Sequence, residues 1–450
     1  MTAHALSLAD AVAERERVLT DFLERHQDQL ARACHDMARA FARGGVLIPF
    51  GTGAAATDAA HVAVEFMHPV IVGKRALPSL APTNDPARAS RLEVLGRPGD
   101  IALTIAHRPD DPKTAAFLAT AGRRGLLTLA LAPQGAAPEA DHAFLVDSDD
   151  PAIVQEVQET AYHVLWELVH VFFEHPGLLD EACITCGDVA IEVVVVEVEG
   201  VRALVESEGV REEVAVDLVP DVCVGDRLLC HAGVALERTG RGEPPAAEAT
   251  GFLYPFLDAQ ETDADAVLAD VRASTVHKGQ DVIALRRGID LEAIAAAGRS
   301  VRSALDGGGR LLCFGNGGSA TDAQDLAADA LARGWGAVAL GNDSATITAV
   351  ANDVGFENVF ARQLIALGSS RDVAVAISTS GTSPDIIAGL HEAHRRHMLT
   401  VAITGYDGGA VAKLPFVDHL LVIDGDYIPR LQEAHATMYH LLLDVAGSAS

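Results

Sequence analysis

The stretch GGRLLCFGNGGSATDAQDLAADA, residues 308–330, runs from a short apolar segment through a glycine-rich turn into a helix-length segment. An apolar run that ends in Gly-Asn-Gly-Gly-Ser and opens a helix reads as a strand-to-helix crossover, the unit of parallel sheets. The same frame stands earlier as GGVLIPFGTGAAATDAAHVAVEF, residues 44–66, where Gly51 matches Gly315 and Asp58 matches Asp322 at an offset of 264. Downstream, GDIALTIAHRPDDPKT from Gly99 aligns with RDVAVAISTSGTSPDI from Arg371 at an offset of 272. QEVQETAYH, ending at His163, aligns with QEAHATMYH, ending at His440, at an offset of 277. The chain thus carries an internal repeat whose first copy is the shorter. Short apolar runs alternate with helical segments in both copies, which predicts two α/β domains, each a parallel sheet with helices on both faces.

Between the copies the texture changes to VAIEVVVVEVEG, ALVES and REEVAVDLV, β-branched runs separated by turn residues. These predict a small all-β, OB-like barrel. The first domain is expected at residues 1–180, the barrel at 183–240, a linker around RGEPPAAEATG at 241–262, and the second domain at 263–450. Helical periodicity resumes from about Asp263 to Leu305.

With 450 residues, 49% hydrophobic and 22% charged, the chain can bury several cores. Its 63 acidic against 34 basic residues give a net charge of -29, which repels a phosphate backbone or an anionic bilayer. Nucleic acid and membrane are therefore not expected partners, whereas a small anion can still be held by backbone N–H groups. The amino-terminal MTAHALSLADAVAERERVL lacks the apolar core of a signal peptide, and a cytoplasmic protein is expected. Four of the six cysteines, Cys183, Cys186, Cys223 and Cys230, fall in one 48-residue window, a pattern that favours a thiolate site over a secreted disulfide framework.

In the second copy two strand-to-helix loops carry the chemistry. FGNGGSATDA offers glycine N–H groups, a helix N-terminus and Ser319; the second loop is Ser378-Thr379-Ser380-Gly381-Thr382-Ser383-Pro384, with five hydroxyls. Such loops at the carboxyl ends of parallel strands suit a phosphate, although one or two of the hydroxyls would equally serve as helix caps. LLCFGNGGSATDAQDLA, AVANDVGFENVFARQ, AISTSGTSPDII and AITGYDGG, in that order, resemble the SIS (sugar isomerase) fold. They are most similar to the phosphoheptose isomerases that act on sedoheptulose 7-phosphate, over about Asp263 to Val445. The resemblance implies that Ser319, Ser378, Thr379, Ser380 and Ser383 hold a sugar phosphate, that Asn316 and Asp353 line the sugar, and that the protein is a homo-oligomer.

The family also carries a metal and acid–base set, His and Glu at i and i+4 on one helix, then Gln and His eight residues apart on another. The second copy has Asp325 and Asp329 in place of the first pair, followed by Gln432 and His440. Asp329 and His440 stand at the catalytic positions and Gln432 beside the sugar, but Asp325 removes an imidazole and weakens a zinc site. The first copy reverses the pattern. Gly51-Thr52-Gly53-Ala54-Ala55 and Ala106-His107-Arg108-Pro109-Asp110-Asp111 have lost the hydroxyls, yet His61, Glu65, Gln155 and His163 match the full set. Imidazole, carboxylate and amide oxygen suit a divalent metal such as zinc, and Glu65 with His163 is suited to move protons between adjacent carbons through an enediol. Because one copy keeps the phosphate loops and the other the metal set, the two are expected to pair within the chain and share one composite site.

For the barrel the cysteines allow three readings: a zinc site of Cys183, Cys186, Cys223, Cys230 and His231, a redox-active Cys183-Ile184-Thr185-Cys186, or buried core cysteines. VREEVAVDLVPDVCVGDRLLCHAGVALER also resembles the small hydrogenase-assembly chaperones of the HypC/HupF type. That resemblance implies a Cys183 thiolate that, with a maturation partner, holds an iron bearing cyanide and carbon monoxide and delivers it to a hydrogenase large subunit. The expected function is a phosphosugar-binding accessory factor in nickel-iron hydrogenase assembly. An active sedoheptulose 7-phosphate isomerase, or a phosphosugar sensor without chemistry, are the alternatives.

Overall fold

The computed structural model describes residues 7–69, 74–81, 92–175, 178–179, 264–448, and 191–241 apart from 201, 208–209, 218, 220–221 and 232–233. The first copy contains α1 (Leu8–Ala42), β1 (Leu47–Gly51), α2 (Ala55–Met67), the single turn α3 (Leu92–Leu95), β2 (Ile101–Ile105), α4 (Pro112–Arg123), β3 (Leu127–Pro133), β4 (His142–Val146) and α5 (Pro151–Phe173). Five strands follow, β5 (Ile191–Glu199), β6 (Arg202–Ser207), β7 (Val210–Ala215), β8 (Asp226–His231) and β9 (Val234–Arg241). The second copy contains α6 (Ala264–Arg287), α7 (Leu291–Asp306), β10 (Leu311–Phe314), α8 (Gly318–Ala332), β11 (Ala337–Ala339), α9 (Ser344–Val354), α10 (Val359–Leu367), β12 (Val373–Ser378), α11 (Pro384–Arg395), β13 (Leu399–Thr404), β14 (His419–Val422) and α12 (Ile428–Gly447).

The two α/β units are parallel sheets flanked by helices. Strand order is β1-β2-β3-β4 in the first and β11-β10-β12-β13-β14 in the second. In the second sheet the chain leaves β10, pairs β11 on one side and returns to pair β12 on the other. The carboxyl end of β10 is therefore the switch point where such sheets open a crevice, and the Gly-Asn-Gly-Gly-Ser loop stands there. In the first copy the counterpart of β11 shrinks to one parallel bridge between Leu47 and Ser79. β1, β2 and β12 are buried along their whole length, which is why they read as unbroken apolar runs rather than alternating ones.

The copies exchange helices. Val267, Val271 and Val282 of α6, which precedes the second copy in sequence, are buried in the core of the first. Val12, near the start of α1, is buried in the core of the second. The helical stretch expected from Asp263 to Leu305 is in fact two helices, because Asp290 caps α7 by accepting the N–H groups of Glu292 and Ala293. α5 and α12 pack against each other across the copies and are buried on nearly every face, polar side chains included. A helix sandwiched in this way has no solvent side on which to segregate its charges.

β5 to β9 close into a barrel in the order β5-β6-β7-β9-β8, filled by Val193, Val195, Val205, Val214, Leu228 and Cys230. Among the described residues no helix is long and apolar enough to cross a membrane.

Candidate active site

Four helices, α2 and α8 at one level and α5 and α12 beneath them, bring the charged residues of both copies together at the interface. The pairing is crossed. His163 Nδ1 of the first copy lies 2.9 Å from Glu433 Oε1 of the second, and His440 Nδ1 of the second lies 2.9 Å from Glu156 Oε1 of the first. These are equivalent positions of the repeat, so the interface has an internal two-fold relation. Each carboxylate is further held: Thr160 donates to Glu433 at 2.8 Å and Arg430 pairs with it, while Thr437 and Arg15 serve Glu156 at 2.5 and 2.8 Å.

Around His163 the first copy's metal set assembles. Ligand atoms of His61, Glu65 and His163 lie within 4.8 Å of one another, and all three side chains are buried. The amide that joins them comes from the second copy: Gln432 Nε2 lies 3.4 Å from His61 Nε2. Both oxygens of Glu65, Nε2 of His163 and Oε1 of Gln432 are buried with no hydrogen-bond partner. Four orphaned acceptor atoms at one place fit a divalent cation with mixed oxygen and imidazole ligands. The second shell fits as well, because Glu433 fixes the far nitrogen of His163 and the Tyr162 hydroxyl lies 3.1 Å from His61 Nδ1. Burial lowers the pKa of His163, with Glu433 only partly offsetting it, so the ring is neutral and Nε2 presents a lone pair. Burial would raise Glu65, but His61, His163 and Gln432 together hold it below the usual carboxylate range.

The second copy's phosphate loop ends on this set. A Cβ placed on Gly318 would lie 1.8 Å from Gln432 Nε2 and 2.7 Å from His61 Nε2, so only glycine lets the loop come so close. Gly317 turns the chain with φ 55°, and Ser319 follows in the first turn of α8. Asn316 Nδ2 donates to Asp385 Oδ2 at 2.8 Å and ties the glycine loop to the hydroxyl loop. In the hydroxyl loop Gly381 N–H donates to Ser378 Oγ at 3.2 Å, and Ser380 Oγ lies 2.9 Å from Thr382 Oγ1. Ser383 stands at the N-cap of α11 yet makes no side-chain cap hydrogen bond, so its hydroxyl and the helix N–H groups are not consumed internally.

At the equivalent position of the other half the opposite holds. Asp111 matches Ser383, and its carboxylate accepts the N–H groups of Lys113 and Thr114 and the hydroxyl of Thr52. A carboxylate of the chain itself occupies the anion-binding end of α4. The remnant of the metal set there is likewise satisfied from within. Asp325 accepts from Thr57 at 3.1 Å, from Tyr439 at 2.7 Å and from Gln155. His440 sits between Glu156 and Asp329, its Nε2 3.3 Å from Asp329 Oδ2. Burial opposes charge on His440, but these two carboxylates carry its pKa up to about 10. It is an imidazolium locked in an ion triad.

The structure therefore regroups the residues singled out in the sequence. His61, Glu65 and His163 come together, but Gln155 binds Asp325 in the other half and Gln432 takes its place. Asp329 and His440 are together, away from the phosphate loops. Asp353 lies on α9, a helix with no buried residue, and is exposed, so a single chain does not place it in the site. Cys183 and Cys186 lie outside the described residues; Cys230 is packed in the barrel core and Cys223 is exposed. Glu156, Glu433 and Tyr162 escaped the sequence reading, although the Gln-Glu dipeptide and the Tyr-His pair recur in both copies and were a usable signal.

A parallel α/β crevice with glycine and hydroxyl loops above a buried imidazole–carboxylate set, built twice, defines a duplicated sugar-isomerase-type protein. A sequence profile of the SIS domain matches residues 12–132 and 280–405, and one of the HupF/HypC family matches residues 189–247. The chain belongs to the SIS-domain family, duplicated and of the phosphoheptose isomerase type, with a HupF/HypC-type domain between the copies. It is 42% identical over 158 residues to the phosphoheptose isomerase of Laribacter hongkongensis, covering 34% of this chain and 81% of that protein. It is 40% identical over 189 residues to the enzyme of that name from Bradyrhizobium sp. strain BTAi1, covering 40% of this chain and 94% of that protein. The solved C-terminal domain of glucosamine-fructose-6-phosphate aminotransferase from Francisella tularensis aligns over 99% of this chain and 96% of its own at a TM-score of 0.56. At 10% identity that likeness concerns the fold.

Proposed function

We propose that the chain binds a phosphorylated sugar in one composite site and interconverts its ketose and aldose forms. The observation that carries this reading is the contact of Gly318 with His61 and Gln432, which sets the second copy's phosphate loop directly over the first copy's metal set. The loops around Ser319, Ser378, Ser380 and Ser383 bind the phosphate through hydroxyls and helix N–H groups. Glu65, held ionised, takes the carbon-bound proton from one carbon and returns it to its neighbour. His163, neutral and oriented by Glu433, accepts the hydroxyl proton at Nε2 and passes it to the other oxygen, so that an enediol forms and collapses without net change of charge. His61, Gln432 and one oxygen of Glu65 would hold a divalent metal, zinc by donor type, which when bound would polarise the sugar oxygens, leaving the other Glu65 oxygen and His163 Nε2 for the proton transfers. The site is internal to the fold, and each chain has one.

The test is incubation of the purified protein with sedoheptulose 7-phosphate, with and without added zinc, followed by assay for the aldose. Turnover that disappears in Glu65→Gln is the expected result. Specific binding with no turnover contradicts the isomerase and favours a sensor.

The HupF/HypC match favours a second role, which the isomerase reading does not replace. We propose that the OB-like barrel docks a hydrogenase-maturation partner and hydrogenase large subunit, with Cys183 carrying the iron-cyanide-carbonyl fragment. The expected result is co-purification of the large subunit with the protein, lost in Cys183→Ala with sugar turnover intact. A second copy of the chain would cover α9, α10 and the turn between them, where Val354, Phe356, Ile365 and Leu367 are exposed, and both roles suit a cytoplasmic location.

A further inference from the structure

Behind the His61 set lies a group of carboxylates that the proposed reaction does not use. Asp58, Glu159, Asp322 and Asp325 are each at most 3% exposed and meet where the copies adjoin. The internal two-fold relation shows how two of them are neutralised. Asp58 has His107, its Nε2 2.9 Å from Asp58 Oδ2, and Asp325 has the donors Thr57, Gln155 and Tyr439. Asp322, the counterpart of Asp58, has no such cation, because the position equivalent to His107 is Thr379. Glu159 has no counterpart carboxyl at all, since Ala436 stands at the equivalent position. Both oxygens of Glu159 and Oδ2 of Asp322 are buried without a hydrogen-bond partner. Ligand atoms of His61, Glu159 and Asp322 lie within 4.8 Å of one another, so the two carboxylates adjoin the grouping of Glu65 and His163 and share only His61 with it.

The geometry points to a second cation position beside the first, held by the carboxylates of Glu159 and Asp322 and present only on the side of the molecule that keeps the sugar site. Two carboxylates suit a divalent ion that prefers oxygen ligands, such as manganese. Unpaired carboxylates inside a protein are costly, and a bound dication removes that cost where no side chain hydrogen-bonds them. The position does not depend on the isomerase reading, because it is built from residues with no part in the proton transfers.

The test is equilibrium dialysis of the full-length protein against manganese chloride, with metal per chain counted by mass spectrometry. Glu159→Gln is expected to bind one equivalent fewer than the unaltered chain, and Asp322→Asn to do the same. Glu65→Gln removes a different equivalent, so the double variant Glu65→Gln/Glu159→Gln falls by two. Failure of the first position shows as no change in Glu65→Gln and leaves the Glu159 result readable. Thermal melting gives the second readout: without metal Glu159→Gln melts higher than the unaltered chain, and manganese raises the melting point of the unaltered chain more than that of the variant. Retention of the full metal count in both Glu159→Gln and Asp322→Asn overturns the inference.

Discussion

His163 and His440 occupy the same place in the repeat, and each contacts a carboxylate of the opposite copy at 2.9 Å, yet burial pushes the pKa of the first down while two carboxylates push that of the second up. The difference lies at the second nitrogen. Nε2 of His163 faces the His61 and Glu65 side, whereas Nε2 of His440 lies 3.3 Å from Asp329 Oδ2. On the proposed mechanism the first ring is the proton carrier, whereas the second is held between Glu156 and Asp329. The same division runs through the loops: the N-cap hydroxyl of Ser383 leaves a helix end open, while Asp111 closes the equivalent end with the chain's own carboxylate. One half-site thus leaves its polar groups open to a ligand, and the other satisfies its own from within the chain.

The largest effect that separates the halves is expected from the carboxylates at equivalent positions. Glu65→Gln lowers turnover of the sugar phosphate by about 10³-fold, as for loss of a general base, while Asp329→Asn stays within about twofold. Equal losses in both would break the distinction. The loops give the next contrast. Ser378→Ala with Ser383→Ala raises KM by about tenfold with little change in kcat, from lost hydrogen bonds to the phosphate. Asp111→Ala leaves KM unchanged but costs about 1 kcal/mol of stability, because α4 loses its cap; urea denaturation measures that difference.

A smaller effect comes from pH. The folded pKa of His440 is raised to about 10, above its unfolded value, so the stability it contributes is fully present below the unfolded pKa near 6.5. It declines as pH rises from there and is gone above about 10. The melting temperature should therefore fall between pH 7 and 10, and His440→Gln should flatten that slope. An unchanged slope in the variant would show that His440 is not charged in the folded state.

The repeat, the parallel sheets and the division of loops and metal residues between copies were legible because they depend on local spacing: glycine at a strand-to-helix turn, His and Glu one helical turn apart. What was not legible depends on which helix faces which. Gln155 and His163 are eight residues apart on one helix, about two turns, and spacing alone would set them in one site. The crossed packing of α5 on α12 instead sends Gln155 to Asp325 and brings Gln432 to His61. The packing of α6 on the other copy's core was hidden for the same reason, since its apolar positions fit either partner. Glu159 was passed over because a glutamate in a helix is ordinarily solvated, and only burial on all sides of α5 makes it unusual.

If the second copy completes the first copy's metal set, the two amides must behave differently, because Gln432 reaches His61 and Gln155 reaches Asp325. Zinc affinity and turnover should be measured side by side for Gln432→Ala and Gln155→Ala. Gln432→Ala is expected to lose about 10 to 100-fold in zinc affinity, with a matching loss of turnover, and Gln155→Ala to change little. Loss in Gln155→Ala with Gln432→Ala unaffected would contradict it.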